Sequence, residues 1–580
     1  MKITFVHAPE EFYDQNYGTQ FIPLWAFYLA SYVSKDWEVD LIDCRLESIE
    51  KATDSDVFAF GGINQSLQTM LDAKNRLKEK FPNACYLMGG PITWSFQKEN
   101  KLNLLDSFDY LFVMDGEQAL SDFLDKFKEG KHTIFPRIIQ TSRYPVSKSR
   151  EMSFDLFDKK KLKYYGAVVE VSRGCPFLCE FCDIRVLPDN NKANNRSIEI
   201  IIKEMDEFYK RGITQFQFAC DNFIGDIKWA EECVDAILEW KESINGDDVA
   251  IFTWLTINLF NYDSLMAKMR KAGFGILFIG IESVNQNSLL ETAKVQNMNL
   301  MSEAVEKIQS YGFVIAPGLI FGFDNDDDKV FQDTLDFLKD TGCVGGDPSF
   351  LTALAGTPLF TRMKKSGRLI ERTDKAVERK KIATNIRYLQ NTDMLSKGFL
   401  YFVKEFTSTK YQYERIQNTF KLIKEKGNYI GVPKGGSYTA LLPYLLLQLK
   451  NTENLEMLLR RVFYLLRPDR LMMVLLVRLQ TFLMEKKYPG VGSYFSYWAY
   501  NWTNLHLKYG KITMNDFGLH SVDENFDYSL LVNSLEMTDD EEKEFKETGV
   551  KFNVQAKRTK KAIEKLVENK KKERLVSSDV

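Results

Sequence analysis

From Lys2 to Leu354 the chain alternates short apolar runs with stretches whose apolar residues recur at helical spacing. Lys2 to His7 reads as a buried strand and Leu24 to Val33 as a helix. Val39 to Cys44, Val57 to Gly61, Cys85 to Gly89 and Tyr110 to Met114 read as further strands, with helices over Gln65 to Lys80 and Glu117 to Lys128. This alternation predicts a parallel, doubly wound α/β sheet. Its ligand crevice should lie at the carboxyl ends of the strands. Glycines stand there: Gly61 and Gly62, Gly89 and Gly90 before Pro91, and Gly116 before Glu117. Glycine lets a backbone approach a flat ligand or turn sharply, and both readings stay open for these positions.

The same alternation continues further on. Val168 to Ser172, Gln215 to Cys220, Ile251 to Ile257, Gly275 to Ile281, Val314 to Phe321 and Phe350 to Leu354 read as six strands. Helices are predicted over Ile198 to Lys210, Trp229 to Trp240, Tyr262 to Lys271, Met301 to Tyr311 and Lys329 to Lys339. Six strands with intervening helices fit a partial (β/α)6 TIM-type barrel with its active groups at strand carboxyl ends. From about residue 370 the pattern turns helical. Ala440 to Leu449 and Met457 to Met484 are strongly apolar, interrupted by Arg460, Arg461, Arg467, Arg470 and Arg478 and broken by Pro443 and Pro468. Neither run reaches the roughly 20 uninterrupted apolar residues that span a bilayer. The aromatic cluster Tyr494, Phe495, Tyr497, Trp498, Tyr500 and Trp502 follows. Basic residues beside apolar helices and aromatics suit a helix lying on a membrane surface; a helical domain packed on the barrel mouth is the alternative. Lys551 to Val580 reads as a solvated helix with a frayed tail. The division expected is 1–145, 146–370 and 371–580.

Length and charge narrow the classes. A chain of 580 residues exceeds one ordinary core. Its 77 basic and 80 acidic residues nearly balance, so no nucleic-acid partner is expected. Only four histidines occur, none paired at metal-ligand spacing, which excludes zinc chemistry of the H-E-x-x-H type. The eight cysteines are thinly spread apart from one cluster, as in a reducing compartment, and no secretory signal is visible. A cytoplasmic protein is expected, with peripheral contact at the inner face of the membrane as the variant its apolar helices allow.

The one cysteine cluster, Cys175, Cys179 and Cys182, has the spacing C-x3-C-x2-C in the run Ser172-Arg173-Gly174-Cys175-Pro176-Phe177-Leu178-Cys179-Glu180-Phe181-Cys182. Three thiolates on a 4Fe–4S cubane leave one iron without a protein ligand, just as a catalytic zinc keeps one position open. A structural zinc site completed by Cys220 or Cys233 is the other reading. Such sites more often use two C-x2-C pairs, and no second pair exists here.

With Phe181 ahead of the third cysteine, this motif resembles that of the radical SAM superfamily. The resemblance implies that the open iron chelates S-adenosylmethionine and that one electron cleaves the sulfonium to a 5′-deoxyadenosyl radical. Later strand ends match the superfamily in order. Asp221 and Asn222 follow the second strand, near where the family holds the methionine part of the cofactor. Thr256 ends the third strand, and Glu282 the fourth. Gly318, Ile320 and Gly322 resemble the G-x-I-x-G strand that meets adenine. Asp324 to Asp328 reads as a solvated loop and helix start, being too short for a calcium loop. Cys220 reads as a packing cysteine.

An α/β domain directly ahead of such a core is similar to the cobalamin-binding domain of one subclass. Gly61, Gly62, Gly89, Gly90, Pro91 and Glu117 would then line the corrinoid site. The loop Ala8 to Gly18 lacks the cobalt-ligating histidine of the D-x-H-x-x-G motif, as members of that subclass commonly do. Thr352 to Leu359 resembles a phrase of the hopanoid-methylase-like proteins, and the likeness spans roughly residues 1 to 370. It implies methyl transfer from methylcobalamin to a substrate radical, with a flavodoxin or ferredoxin as electron donor. The apolar C-terminal third suggests an apolar substrate: a lipid, isoprenoid or tetrapyrrole. Ring formation or carbon–carbon coupling without methyl transfer, and a non-enzymatic cluster-binding module, are the alternatives.

Overall fold

The computed structural model describes residues 1–9, 21–160, 164–294, 296, 300–370, 380–432, 452–536, 538, 543 and 556–578. The loop residues from Glu10 to Gly18 and the apolar run Ala440 to Leu449 lie outside them. The chain divides into two compact units. One comprises residues 1–172, 194–219 and 438–458; the other comprises residues 173–193, 220–437 and 459–580.

The first unit is built on a six-stranded parallel sheet. Its strands are β1 (Lys2–His7), β2 (Glu38–Asp43), β3 (Val57–Gly61), β4 (Cys85–Gly89), β5 (Tyr110–Val113) and β6 (Ile138–Gln140). They lie in the order β2-β1-β3-β4-β5-β6, and β1 pairs in parallel with both β2 and β3. All five residues of β3 are buried. Burial of both faces is why these strands read as continuous apolar runs rather than alternating ones. The helix Leu67–Lys80 buries Met70, Ala73, Lys74 and Leu77. That i, i+3, i+4, i+7 spacing puts one stripe on the sheet, where Met70 and Leu77 join Phe58, Phe60, Tyr86 and Met88 in one core. Two further strands, Ala167–Glu170 and Gln215–Ala219, pair in parallel within this unit.

His7 ends β1 and accepts a hydrogen bond from Trp25 Nε1 at its Nδ1, 3.1 Å away. Burial, then the nearby Arg45, lowers its pKa to about 4. The folded chain therefore keeps this imidazole neutral where the unfolded chain protonates it. The unfolded state binds more protons between the two values, so stability falls as pH drops from about 6.5 to about 4. The full shift is worth about 3 kcal/mol. The His7→Gln variant, whose carbonyl can still accept from Trp25, should flatten that part of the stability profile. Urea midpoints measured across this window for the two proteins check it.

The second unit carries four parallel strands in the order Asp347–Phe350, Val314–Phe321, Phe274–Glu282, Ala250–Leu255. Helices Asp263–Ala272, Met301–Ser310 and Val330–Asp340 alternate with them. All six strands expected of the barrel region are thus present, two in the first unit and four in the second, parallel within each. The last is shifted: it runs Asp347–Phe350, and the chain leaves the ladder just beyond it.

The C-terminal region is mostly helical, as its periodicity indicates, but it also contains a parallel pair, Ile382–Tyr388 with Phe517–Ser521. Two expectations there need correction. Of the aromatics of helix Gly492–Tyr509, Tyr494, Trp498 and Trp502 are fully buried with Val314 and Val344, while Tyr500 is exposed. Tyr494 donates its hydroxyl proton to the Phe313 carbonyl at 2.7 Å, just ahead of strand Val314–Phe321. This helix therefore packs against the amino end of that strand at Tyr494, while at its other end Tyr509 donates to the Pro348 carbonyl at 3.0 Å. The expected apolar run Met457 to Met484 does present an exposed apolar face on helix Pro468–Glu485, where Met472, Leu475, Leu476, Leu479, Phe482 and Leu483 are all exposed. Finally, the helix Ala556–Ser578 is not merely solvated. Ile563, Leu566 and Val567 pack on Leu531 and Leu389, so one face of this lysine-rich helix is buried. Among the described residues, no helix is long and apolar enough to cross a membrane.

Candidate active site

The cysteine loop is held by its own backbone. The Cys175 N–H donates to the Asn190 carbonyl at 2.9 Å, and the Cys182 N–H donates to that of Cys179 at 3.3 Å. Gly174 turns the chain into the loop with φ +93, and a Cβ there would collide with the Lys192 carbonyl. Only glycine tolerates both conditions. The Gly174 N–H donates to Asp221 Oδ2 at 2.5 Å. Asp221 therefore anchors the cysteine loop.

Side-chain donors point at the sulfurs. Asn222 Nδ2 lies 3.9 Å from Cys175 Sγ, and Gln296 Nε2 lies 3.3 Å from Cys179 Sγ. Burial pushes the Cys175 thiol up to about 11 and raises that of Cys182. Protons must leave these thiols before metal binds. Among the described residues, no three His, Cys, Asp or Glu side chains stand close enough to share one metal ion. Ligands of a single zinc would sit about 4 Å apart, from Zn–S bonds of about 2.3 Å. A cubane asks less, because each thiolate takes a different iron. One loop with three thiols and N–H donors to two of them fits such a cluster.

Strand Phe274–Glu282 delivers the next group. Gly280 pairs with Gly318, but Glu282 pairs with Leu319, so Ile281 is an extra residue and the ladder bulges. A bulge re-aims the side chain beside it. Glu282 has φ 64, an unusual conformation for a residue with a side chain. Its Oε1 meets Lys294 Nζ at 2.8 Å, with both side chains nearly buried. Burial lowers the Lys294 pKa, but Glu282 and then Cys179 outweigh it and hold the ammonium above its ordinary value. Lys294 thus pairs with the Glu282 carboxylate, and its ammonium lies 5.9 Å from the ring of Phe181 on the cysteine loop.

Of the other expected positions, Gly318 and Phe181 lie beside this pair. A Cβ on Gly318 would sit 2.9 Å from Phe278 Cζ and 3.8 Å from Glu282 Oε2. Ile320 follows, half-buried, opposite Ser349. Gly322 ends the run, and its N–H donates to Asp326 Oδ2 at 2.9 Å. Thr256 donates to Asn222 Oδ1 at 3.5 Å and contacts Asn258. The Phe181 ring lies 6.2 Å from that of Phe323 and 5.9 Å from Lys294 Nζ. Cys220 is occupied elsewhere, 3.2 Å from Thr253 Oγ1 and 3.5 Å from the Trp254 carbonyl.

The acidic run after Gly322 corrects the sequence reading. Asp324 and Asp326 are buried, not solvated. Asp324 pairs with Arg362 and Arg368, and Asp326 accepts the Gly322 and Phe323 N–H groups and the Ser288 hydroxyl. Lys294, Gln296, Arg362 and Arg368 were not legible in advance. Each has its partner 12 or more positions away in sequence.

In the first unit, Gly61 and Gly62, Gly89 to Pro91, and Glu117 lie at or just beyond the carboxyl ends of β3, β4 and β5, which are neighbours. Internal packing accounts for several of them. A Cβ on Gly61 would press on the Trp25 ring at 3.0 Å, one on Gly62 would meet Met70 Sδ at 2.8 Å, and one on Gly90 would meet the Gly62 nitrogen at 2.9 Å. Gly89 has ordinary room, and Glu117 is buried. The rim is where a doubly wound sheet takes its ligand.

An open parallel sheet with a three-cysteine loop, a buried carboxylate and a glycine-flanked strand defines a class of cofactor site rather than a substrate. Residues 169–338 match the Radical SAM superfamily, and the chain carries a radical SAM domain, which implies a 4Fe–4S cluster and S-adenosylmethionine. The hopanoid C-2 methylase of Rhodopseudomonas palustris (strain TIE-1) is 28% identical over 353 residues, covering 59% of this chain and 64% of that protein. The bacteriochlorophyllide d C-12(1)-methyltransferase of Chlorobaculum tepidum is 26% identical over 219 residues, covering 37% of this chain and 46% of that protein. The chain thus spans less than two thirds of the length of either relative. In fold it resembles the methyltransferase TsrM of Kitasatospora setae, solved with cobalamin and a 4Fe–4S cluster. The TM-score is 0.52 at 13% identity, over 65% of this chain and 77% of that one. It also resembles OxsB, a cobalamin-dependent S-adenosylmethionine radical enzyme solved with aqua-cobalamin and S-adenosylmethionine. There the TM-score is 0.53 at 15% identity, over 94% of this chain and 84% of that one.

Proposed function

We propose that this chain is a radical SAM enzyme that methylates an unactivated carbon of an apolar substrate, a lipid, isoprenoid or tetrapyrrole, with cobalamin as second cofactor. The observation that carries the reading is the three-thiol loop of Cys175, Cys179 and Cys182 with the buried Glu282–Lys294 pair, whose ammonium lies 5.9 Å from the Phe181 ring of that loop. When bound, the 4Fe–4S cluster with S-adenosylmethionine supplies a carbon-centred radical, and cobalamin supplies a methyl group. Cys175, Cys179 and Cys182 hold three irons, and the amides of Asn222 and Gln296 hydrogen-bond the sulfurs. Glu282 and Lys294 offer a carboxylate and an ammonium to the oppositely charged amino and carboxylate groups of an amino-acid cofactor. Backbone at Gly318, Ile320 and Gly322 meets the adenine edge, with Phe181, Asp221 and Thr256 bordering the site. The division into 1–145, 146–370 and 371–580 assigns cobalamin to the first part, along the rim of Gly61, Gly62, Gly89, Gly90, Pro91 and Glu117. Its support is the position of that rim and the likeness of fold. A flavodoxin or ferredoxin delivers the electron. The protein's part is to orient the cofactors and exclude competing reactions.

The test is anaerobic turnover of the full chain, expressed with cobalamin available and given S-adenosylmethionine, a reductant and candidate apolar substrates. Deoxyadenosine release with a methylated product is expected. Release without methylation would favour ring formation or carbon–carbon coupling, and no cleavage at all would leave a cluster-binding module. A corrinoid retained by the protein should show no protein-nitrogen splitting in its Co(II) paramagnetic spectrum, as expected of a loop without histidine.

Contact with a membrane surface is part of the same reading. The exposed face of helix Pro468–Glu485 supports it, with Arg467, Lys486 and Lys487 exposed at the two ends. An exposed apolar patch of this kind marks an interaction site, and basic ends suit anionic headgroups. The protein should float with anionic vesicles, and Leu479→Asp with Phe482→Asp should keep it in the aqueous fraction. Wild-type protein that never floats removes this part of the reading.

A further inference from the structure

Behind the cysteine loop lies a buried set of charges that the reading above does not use. Glu180 sits between Cys179 and Cys182. Arg362 clasps its carboxylate with two parallel bonds, Nε to Oε1 at 2.8 Å and Nη2 to Oε2 at 3.0 Å. The remaining arm of Arg362, Nη1, donates to Asp324 Oδ2 at 3.1 Å. Arg368 forks onto the same carboxylate at 2.8 and 2.6 Å. The N–H groups of Asp324 and Asn325 donate to the Glu291 carboxyl at 2.7 and 3.0 Å. Glu180 is fixed through its backbone as well: its N–H donates to the Thr292 carbonyl at 2.9 Å, and its own carbonyl accepts from the Leu359 N–H at 3.2 Å. Arg362 is 2% exposed and Arg368 is 0% exposed.

These bonds join three loops that the candidate site draws on. One is the cysteine loop. Another runs from Glu291 and Thr292 to Lys294 and Gln296, which address Glu282 and Cys179. The third leaves strand Val314–Phe321 through Gly322 to Asp324. Apolar side chains of similar volume would hold three loops together without removing four charges from water. A forked guanidinium adds direction, because it accepts a carboxylate in one plane and at one distance. Loops that present groups to a cofactor need that precision.

We propose that Arg362 is a positioning residue: through its fork on Glu180 and its bond to Asp324, it fixes the cysteine loop relative to the loops bearing Lys294 and Gly322, and so sets the geometry in which a cluster meets S-adenosylmethionine. The inference rests on the radical SAM reading and extends it to side chains that touch neither metal nor cofactor.

Full-length protein, reconstituted anaerobically with iron and sulfide, tests it through the paramagnetic spectrum of the reduced cluster titrated with S-adenosylmethionine. R362K keeps the charge and loses the fork. It should still load iron, while the concentration of S-adenosylmethionine needed to shift the spectrum rises about 10- to 100-fold, the usual cost of losing a supporting group behind a metal site. R362M alone leaves Glu180 buried without its partner and is expected to fold poorly. The double variant E180L/R362M removes both charges and should recover the unfolding midpoint of the cluster-free chain. Its spectral response should stay impaired. A double variant that folds, loads iron and responds like wild type would reduce the network to packing and overturn the proposal, as would wild-type behaviour in R362K. A wild-type chain with no spectral response to S-adenosylmethionine would fail the radical SAM reading itself, a separate outcome.

Discussion

Alanine at Cys175, Cys179 or Cys182 is expected to abolish reductive cleavage of S-adenosylmethionine and to strip most of the iron from the protein. The wild-type chain should carry roughly four irons, oxygen-labile, in one cubane. Three thiolates leave one of the four irons open, so losing one leaves a two-thiolate cluster with a second open iron and a weaker hold. Cys220 supplies the control. Its sulfur is engaged with Thr253 and the Trp254 carbonyl, and burial raises its thiol pKa to about 12. Cys220→Ala should therefore keep the iron, the spectrum and the cleavage. Iron content and deoxyadenosine release, measured side by side on the four variants, decide the ligand set. A triple variant that keeps both, or a Cys220 variant that loses both, shows the assignment wrong.

The second large effect is expected at Glu282. A hydrogen bond to a charged group is worth about 1.5–3 kcal/mol, so losing it should weaken S-adenosylmethionine about ten- to hundredfold. Glu282→Ala alone has a second consequence, because it strands the buried Lys294 ammonium, and breaking a buried pair costs about 3–5 kcal/mol. Glu282→Gln keeps the shape and an acceptor for Lys294, which makes it the cleaner variant. The double variant Glu282→Gln with Lys294→Met removes both charges and should fold while still binding cofactor poorly. Gly318→Val should also lower affinity with the cluster intact, since its Cβ would press on Phe278 and stand in van der Waals reach of Glu282. Equilibrium binding measured by the cluster's spectral response distinguishes these outcomes. Wild-type affinity in both Glu282→Gln and Gly318→Val would put Glu282 and the glycine strand outside the cofactor site.

Much of the fold is legible in the chain because parallel strands are buried on both faces and announce themselves as apolar runs. The strands at Lys2, Val57 and Val314 start where the pattern places them. Boundaries failed where geometry overrides pattern. The sixth barrel strand moves to Asp347–Phe350, since pairing with its neighbour ends at Phe350. The C-terminal aromatics could be read as surface or core, because amphipathic aromatics serve both; burial of Trp498 and Trp502 against Val314 decided for the core. The acidic run at Asp324 looked solvated because nothing local offers it a partner. Arg362 and Arg368 stand 38 and 44 positions away.

What the sequence by itself determined is local: three cysteines within one loop, strands ending in glycine or a polar group, and the helical spacing between them. These features come from covalent spacing and short-range periodicity, which one linear pattern records. Only the tertiary structure decided which charges meet. It bulged the ladder at Ile281 so that Glu282 turns to Lys294, aimed Asn222 and Gln296 at two sulfurs, and closed Glu180, Arg362, Asp324 and Arg368 into one buried set. A buried charge must find its counter-charge in space, and nothing in the one-dimensional order says which distant residue that will be.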